Sequence, residues 1–319
     1  MDILSGLLLG LQTASTVTNF TYCFFGVLLG TAVGVLPGLG PIATISMLLP
    51  FTFGLPADTA MIMLAGIFYG SQYGGSTTAI LMNLPGEASS VVTTLDGHEM
   101  AKQGKAGRAL AAAAIGSFFA GTVGTLFIVI AAPLLAGMAL SFGPTEYFAL
   151  IVLGLVTSMV LTSGSLLTGF GMVLLGMLLG MIGTDINSGA ARYTFGSPDL
   201  MDGLNFVVIA TGIFGLGDVL ANLEGESSRA TSIARVSSLF PTRDDWKRMT
   251  APIVRGTGIG VLLGVLPGAG LLLSSFSAYA LEKRLSRHPE EFGKGAIEGV
   301  AAPEAANNAA AQTAFIPML

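Results

Sequence analysis

Glu304, Asn307 and Asn308 lie close together in Pro303-Glu304-Ala305-Ala306-Asn307-Asn308, followed by a run of small apolar residues. A carboxylate with two carboxamides is expensive inside an apolar helix, and ionisable groups kept at such cost are functional candidates. Glu304 can ligate a coupling ion or carry a proton. Asn307 and Asn308 can hydrogen-bond substrate oxygens. The competing reading is a capped helix end beside Lys294 and Glu298.

A second polar stretch, Gly70-Ser71-Gln72-Tyr73-Gly74-Gly75-Ser76-Thr77-Thr78, has hydroxyls and no charge. If the helix breaks there, freed carbonyls with Ser71, Thr77 and Thr78 suit a cation such as Na⁺. Tyr73, Gly74, Gly75 and Ser76 then serve substrate. Unwound backbone at membrane depth is tolerated only where it is buried or lines a cavity. The competing reading is a glycine packing seam whose Ser and Thr bond back to helix carbonyls.

The third candidate is a pair of turns, Pro37-Gly38-Leu39-Gly40-Pro41 and Pro267-Gly268-Ala269-Gly270. Glycine permits a tight reversal, and Pro41 suits the first position of a returning helix. The free N–H groups and positive dipole end of such a helix bind an anion without a buried Lys or Arg. Pro37, Gly38, Gly40, Gly268 and Gly270 are therefore assigned to substrate binding.

The elements carrying these residues are set by composition. The 319-residue chain is 52% hydrophobic and 10% charged, against about 25% charged in soluble domains. No Asp, Glu, Lys or Arg lies between Asp2 and Asp58, between Arg108 and Glu146, or between Glu146 and Asp185. A soluble fold of this size needs charge on every exposed face, so the chain reads as an all-α polytopic membrane protein. Alternating β-barrel strands are absent. Cys23 is the single cysteine, which excludes disulfides and cysteine-ligated metal clusters. His98 and His288 sit among charges, and the net charge of -5 offers no basic patch for nucleic acid. No cofactor is expected beyond Na⁺ or H⁺ as coupling ion.

About 20 apolar residues cross a bilayer as a helix. Ile3–Asn19 is a short first segment. Phe20–Phe53 is interrupted by the first Pro-Gly turn, and Asp58–Leu84 by the Gly70–Thr78 stretch. Ala109–Ala131, Thr145–Leu161, Leu166–Ile182 and Asn205–Asn222 read as plain spans, and Gly256–Leu281 is split by the second Pro-Gly turn. Asp58 starts a helix, and Glu224–Met249, with Trp246, rests at the interface. No signal-peptide cleavage site follows a basic N-terminal stretch. The apolar ending Phe315-Ile316-Pro317-Met318-Leu319 reads as a span cut short. The basic loops Pro85–Arg108, Leu223–Arg255 and Lys283–Lys294 all fit the cytoplasmic side, and Gly183–Leu204 fits the outside.

Gly26–Gly40 and Gly256–Gly270 share G-x-x-x-G-x-x-x-G-V-L-P-G-x-G, with 8 of 15 positions identical at an offset of 230. Under the loop assignment the first copy enters the membrane from outside and the second from inside. This predicts inverted-topology repeats with two re-entrant helical hairpins and broken spans, an elevator-type secondary transporter architecture. With arms of about 13 residues, each arm is about 20 Å, too short to span. Ordinary short spans joined by surface turns remain the alternative. The chain is one transmembrane domain. Residues 20–131 form the first repeat (hairpin 20–53, broken span 58–84). Residues 132–252 are connecting spans and loop, and 253–319 form an incomplete second repeat.

Val35-Leu36-Pro37-Gly38-Leu39-Gly40-Pro41, the block YGSQYGGSTTAILMNLPGE at 69–87 and LDGHEMAKQGKAGRAL at 95–110 closely resemble the TctA family. These are the large membrane subunits of bacterial tripartite tricarboxylate transporters. The second PGAG and the PEAANNAAAQTAFIP stretch at 303–317 are similar to the family's later repeat. The resemblance implies a multi-pass permease of the bacterial inner membrane. It implies import of a tricarboxylate or related organic carboxylate, driven by a cation gradient. The partners it implies are a small second membrane subunit and a periplasmic substrate-binding protein. A homo-oligomer is left open.

Other classes fit less well. The spans lack H-E-x-x-H, G-x-S-x-G and paired Asp residues, so no enzyme is expected. No Walker A string is present. The alternative within the fold is an inactive or truncated scaffold, or a channel-like protein, although no charged selectivity ring is evident.

Overall fold

The computed structural model describes residues 3–36, 40–139, 143–160, 165–185, 188–204, 208–209, 212–213, 238–266 and 270–316. Most of them are helical. α1 (Ile3–Ala14) leads to α2 (Val17–Gly34), where the Thr16 hydroxyl accepts the Asn19 N–H and caps the helix. α3 (Pro41–Leu48) starts on Gly40 and is extended by a 3-10 turn, Leu49–Thr52. α4 (Ala57–Met82) carries Asp58 in its first turn and ends at Asn83, in the left-handed region at φ 58°. α5 (Val91–Lys102), α6 (Ala106–Ala139), α7 (Pro144–Val160) and α8 (Leu166–Gly180) follow. Gly183–Thr184 and Ala191–Arg192 pair as a two-stranded antiparallel ribbon. α9 (Arg243–Leu263), α10 (Gly270–Leu285) and α11 (Glu298–Thr313) complete the described chain.

Large apolar side chains point outward. Phe20, Phe24, Leu28, Phe118 and Ile130 are all more than half exposed. Such a surface suits lipid as solvent and is unusual for a soluble monomer. Among the described residues, α2 and Ala106–Ala131 of α6 are each long and apolar enough to cross a membrane. Pro41–Thr52, Pro144–Val156 and α8 are shorter apolar helices.

The interior is built from small residues. Gly26, Gly30 and Gly34 of α2 press onto the backbone of Met63, Ile67 and Ser71 in α4, so closely that a methyl group at any of them would strike it. Gly66, Gly70 and Gly74 of α4 return the contact onto Cys23, Val27 and Thr31. The second copy of the motif does the same. Gly256 and Gly260 of α9, with Gly264 at its end, seat on Ala302, Ala306 and Ala310 of α11. Small residues at such spacing let backbones approach where no hydrophobic force drives helices together. Ala109, Ala112, Ala113 and Ala120 of α6 join Ala301, Ala305 and Ala309 of α11 in the largest buried cluster.

These pairings give helix directions. Contacts advance together along α2 and α4, and likewise along α9 and α11, so each pair is parallel. Between the pairs the order reverses: Ser76 meets Glu304 whereas Tyr69 meets Gln312. The pair α2–α4 therefore runs opposite to α9–α11.

Several sequence expectations change. α4 is an unbroken helix through Gly70–Thr78. Gly70 and Gly74 are spent on the seam with α2 and Gly75 on the contact with Gly86, while the Ser71, Thr77 and Thr78 hydroxyls donate to carbonyls three or four residues back. The expected broken span and freed carbonyls are corrected on that ground. The arms entering the turns are also longer than expected: α2 has 18 residues and α9 has 21. The returning α3 has only 8. Pro85–Arg108 is a packed helical segment rather than a solvated loop. Pro37, Gly38 and Gly268 lie outside the described residues, as does most of Asn205–Asn222 and of Leu223–Arg255 up to residue 237.

Candidate functional site

The shared polar centre lies where α4, the Pro85–Ser90 turn, α5 and α11 meet. Glu304 is 1% exposed and sits two turns into α11, away from any helix end. Its carboxylate accepts the Ser76 hydroxyl at 2.8 Å and the Thr93 hydroxyl at 2.5 Å. One turn further along α11, the Asn307 amide donates to Glu87 Oε1 at 2.9 Å, and the Ser89 hydroxyl donates to the same oxygen at 2.7 Å. Glu87 caps the 3-10 turn Ala88–Ser90, so its carboxylate also sits at the positive end of the helical segment that follows. The two carboxyl groups thus lie against successive turns of α11. Neither bonds to a Lys, Arg or His among the described residues.

Positions named from sequence divide into three groups. Ser76, Glu304 and Asn307 converge in this centre. Gly75 packs on Gly86, and Gly40, at the start of α3, lies near the Gly86 carbonyl; the first returning helix thus begins beside Glu87. Gly270 packs on Leu263 and Gly264 at the other turn. By contrast, Gly74, Ser71 and Thr78 serve the α2–α4 seam or bond within their helix, and Thr77 bonds back to Tyr73. Tyr73 is partly exposed at the edge of the centre. Asn308 turns toward α6, donating to the Ser117 hydroxyl at 2.7 Å. There it borders an open groove of about 290 Å³ lined by Tyr69, Ser117, Phe118, Thr122, Thr125 and Gln312 among others. Tyr69 donates to Gln312 Oε1 at 2.6 Å.

Glu87, Thr93 and Gln72 were not expected at a site. Glu87 and Thr93 fall in a polar segment that reads as a loop, and burial leaves no trace in such a composition. The usable signal was Glu87 following Pro85-Gly86, whose second residue lets two backbones meet.

The charged end of the bundle is tied together by ion pairs. Arg108 forks onto Asp245, joining the starts of α6 and α9. Arg248 binds Glu298 at 2.7 Å and Glu291 at 2.5 Å, and Arg255 binds Glu282 at 2.5 Å. Burial alone would raise the Asp245 carboxyl, but the bonds from Arg108 and Thr242 outweigh it and hold the group below its ordinary value. Arg248 likewise lowers Glu291. Asp96 of α5 accepts the N–H groups of Gly293, Gly295 and Ala296, each at 2.8 Å, and the Tyr279 hydroxyl at 2.7 Å. Residues of all three basic loops thus share one end of the bundle.

With this geometry in place, residues 20–319 match the model of the tripartite tricarboxylate transporter TctA family. The chain belongs to that family. An uncharacterised 52.8 kDa protein in the TAR-I ttuC' 3' region of Agrobacterium vitis is 60% identical over all 319 residues. The chain spans 64% of that relative's length. An uncharacterised protein in the TAR-II ttuC' 3' region of the same organism is 70% identical over 60 residues, 19% of this chain and 25% of the relative. No solved structure matches the chain. TctA membership and the outward apolar helices together mark a membrane protein of a transporter family.

Proposed function

We propose that this chain is the permease portion of a binding-protein-dependent secondary transporter that imports tricarboxylates or related organic carboxylates. It works in the bacterial inner membrane with a small membrane subunit and a periplasmic binding protein, driven by Na⁺ or H⁺. The observation that carries the reading is the antiparallel arrangement of two helix pairs, α2–α4 and α9–α11, whose first members carry the same G-x-x-x-G motif and which share one buried polar centre. Elements of like sequence and opposite direction are the building plan of inverted-repeat transporters.

The Pro-Gly turns are re-entrant tips in this account. The starts of α3 and α10 direct backbone N–H groups and positive dipole ends at the carboxylate substrate. An anion so bound needs no buried cationic side chain, in keeping with the absence of Lys and Arg from both turn segments, 20–53 and 256–281. The cation taken up alongside offsets part of the substrate's charge. Both hairpins then move as one module against the outer helices, in the elevator manner, and the glycine seams keep that module rigid.

The test is uptake by the full-length protein with its small subunit in proteoliposomes, using radiolabelled citrate, an added periplasmic binding protein and an imposed Na⁺ or proton gradient. Accumulation that needs both the gradient and the binding protein is expected. Flux no greater than in empty liposomes, or rapid gradient-independent leakage, contradicts the proposal.

A further inference from the structure

We infer that Glu87 and Glu304, with Asn307, Gln72, Ser76 and Thr93, form a binding site for one monovalent alkali cation. The inference deepens the transport reading and rests on it for its role, though not for the binding itself.

Glu304, fully buried and one turn from the Asn307 that holds a second carboxylate, does not stay charged in a dry interior without a positive partner. The described residues supply hydroxyl and amide donors to the two carboxylates but no cationic side chain. A shared proton would relieve the charge but leave something unexplained. Asn307 is 1% exposed, and its carbonyl oxygen has no hydrogen-bond partner among the described residues. Its amide nitrogen already holds Glu87, so the orphaned oxygen lies within the same cluster. Gln72, also 1% exposed, leaves its carboxamide without a partner. It stands one turn before Ser76 on the same face of α4, and the Ser76 hydroxyl is bonded to Glu304.

Buried polar atoms are nearly always satisfied, and an exception needs an explanation. Two carboxamide oxygens beside two carboxylates make a set of hard oxygen donors. A proton can satisfy only one acceptor at a time, whereas an alkali cation is ligated by several at once. Glu304 is the one fully buried carboxylate of the set, and with neutral oxygens from Asn307, Gln72, Ser76 and Thr93 it matches a single positive charge; Glu87, half-buried, keeps its own charge through solvent and the Asn307 and Ser89 donors. Glu304 and Asn307 are deep, while Glu87 is only partly buried and marks the side from which the ion enters.

The site also joins the two repeats. Ser76 comes from the α2–α4 pair, Glu304 and Asn307 from the α9–α11 pair, and Thr93 from α5 between them. A cation held here ties together the parts that must move as one module.

The experiment is thermal unfolding of the purified full-length protein in lipid nanodiscs, with sodium chloride against choline chloride at equal ionic strength and fixed pH. A ligand specific to the folded state raises the melting temperature with the logarithm of its concentration. Sodium is expected to give such a rise and choline none, and Glu304→Gln and Asn307→Leu should each abolish it. Direct binding of ²²Na⁺ to the unaltered protein, with one ion per chain expected, covers the case in which a variant does not fold. Equal melting curves in the two salts, or no ²²Na⁺ bound, overturn the site even if citrate uptake proceeds. Sodium binding without citrate uptake leaves the site standing and removes the transport reading instead.

Discussion

The Ser76 hydroxyl donates to Glu304 Oε2 at 2.8 Å across 228 residues, joining the two halves of the chain at a carboxylate that is 1% exposed. Helices running in opposite directions reach this contact because glycine and alanine line both seams.

Gly30 and Gly260 occupy equivalent places in the repeat, facing the carbonyls of Ile67 and Ala306. Alanine at either position collides with backbone, which cannot swing aside as a flexible side chain can. Each substitution should cost about 1–3 kcal/mol. Gly258 lies on the open face of α9 with nothing near its missing Cβ. Alanine there should be neutral or stabilise by up to about 1 kcal/mol. Thermal melts of the three variants in one detergent check the contrast; equal losses at all three would remove the seam argument.

Asp245 is buried and holds both Arg108 and the Thr242 cap of α9. Its native pKa is depressed, so its stabilisation is complete above the unfolded value of about 4 and is lost as pH falls through the native value. Asp245→Asn removes the charge and should flatten that acid limb, leaving the protein less stable at pH 7 by about 1–2 kcal/mol. Melting curves across the acid range provide the measurement, and an unchanged acid limb in the variant would argue against the assignment.

Asp96 binds three successive-turn amides, those of Gly293, Gly295 and Ala296. Asp96→Leu leaves those donors without an acceptor and should destabilise the α10–α11 connection by about 3 kcal/mol or more. Hydrogen exchange at residues 293–296 should accelerate in the variant, whereas Asp96→Asn should retain most of the protection. Exchange unaffected by the leucine would mean the clamp is unimportant.

Asn308, assigned to substrate oxygens from its sequence, borders the groove lined by Tyr69 and Gln312, and the proposed substrate route extends to that groove. Tyr69→Phe removes one hydrogen bond to Gln312, while Thr125 remains within 3.3 Å of the same oxygen. Stability should change by about 1 kcal/mol or less. The KM for citrate uptake should rise several-fold with the melting temperature nearly unchanged. An unaltered KM would place the route elsewhere.

Composition was enough to read the helical class, and the loops' basic residues foretold which segments share an end of the bundle. Arg108 with Asp245, and Arg248 with Glu291, carry that agreement. The two glycine seams were legible because glycine spacing records where backbones touch. Gly70–Thr78 misled for the same reason: glycine serves a break and a close approach equally well, and only the partner helix decides between them. Glu87 and Asp96 were hidden by polar neighbours, since a buried carboxylate in a hydrophilic segment looks like a solvated one. Thr93 has no local signal at all; its role exists only once α5 packs on α11.

The central claim is that the two Pro-Gly hairpins open toward opposite faces of the membrane. Cys23 is the single cysteine, so Cys23→Ser gives a background for one probe at a time. Phe53→Cys marks the mouth of the first hairpin and Arg287→Cys that of the second, both at exposed positions. Labelling with a membrane-impermeant maleimide in right-side-out and inside-out vesicles should find residue 53 reactive only from the periplasmic side and residue 287 only from the cytoplasmic side. Labelling of both from a single side would contradict the account.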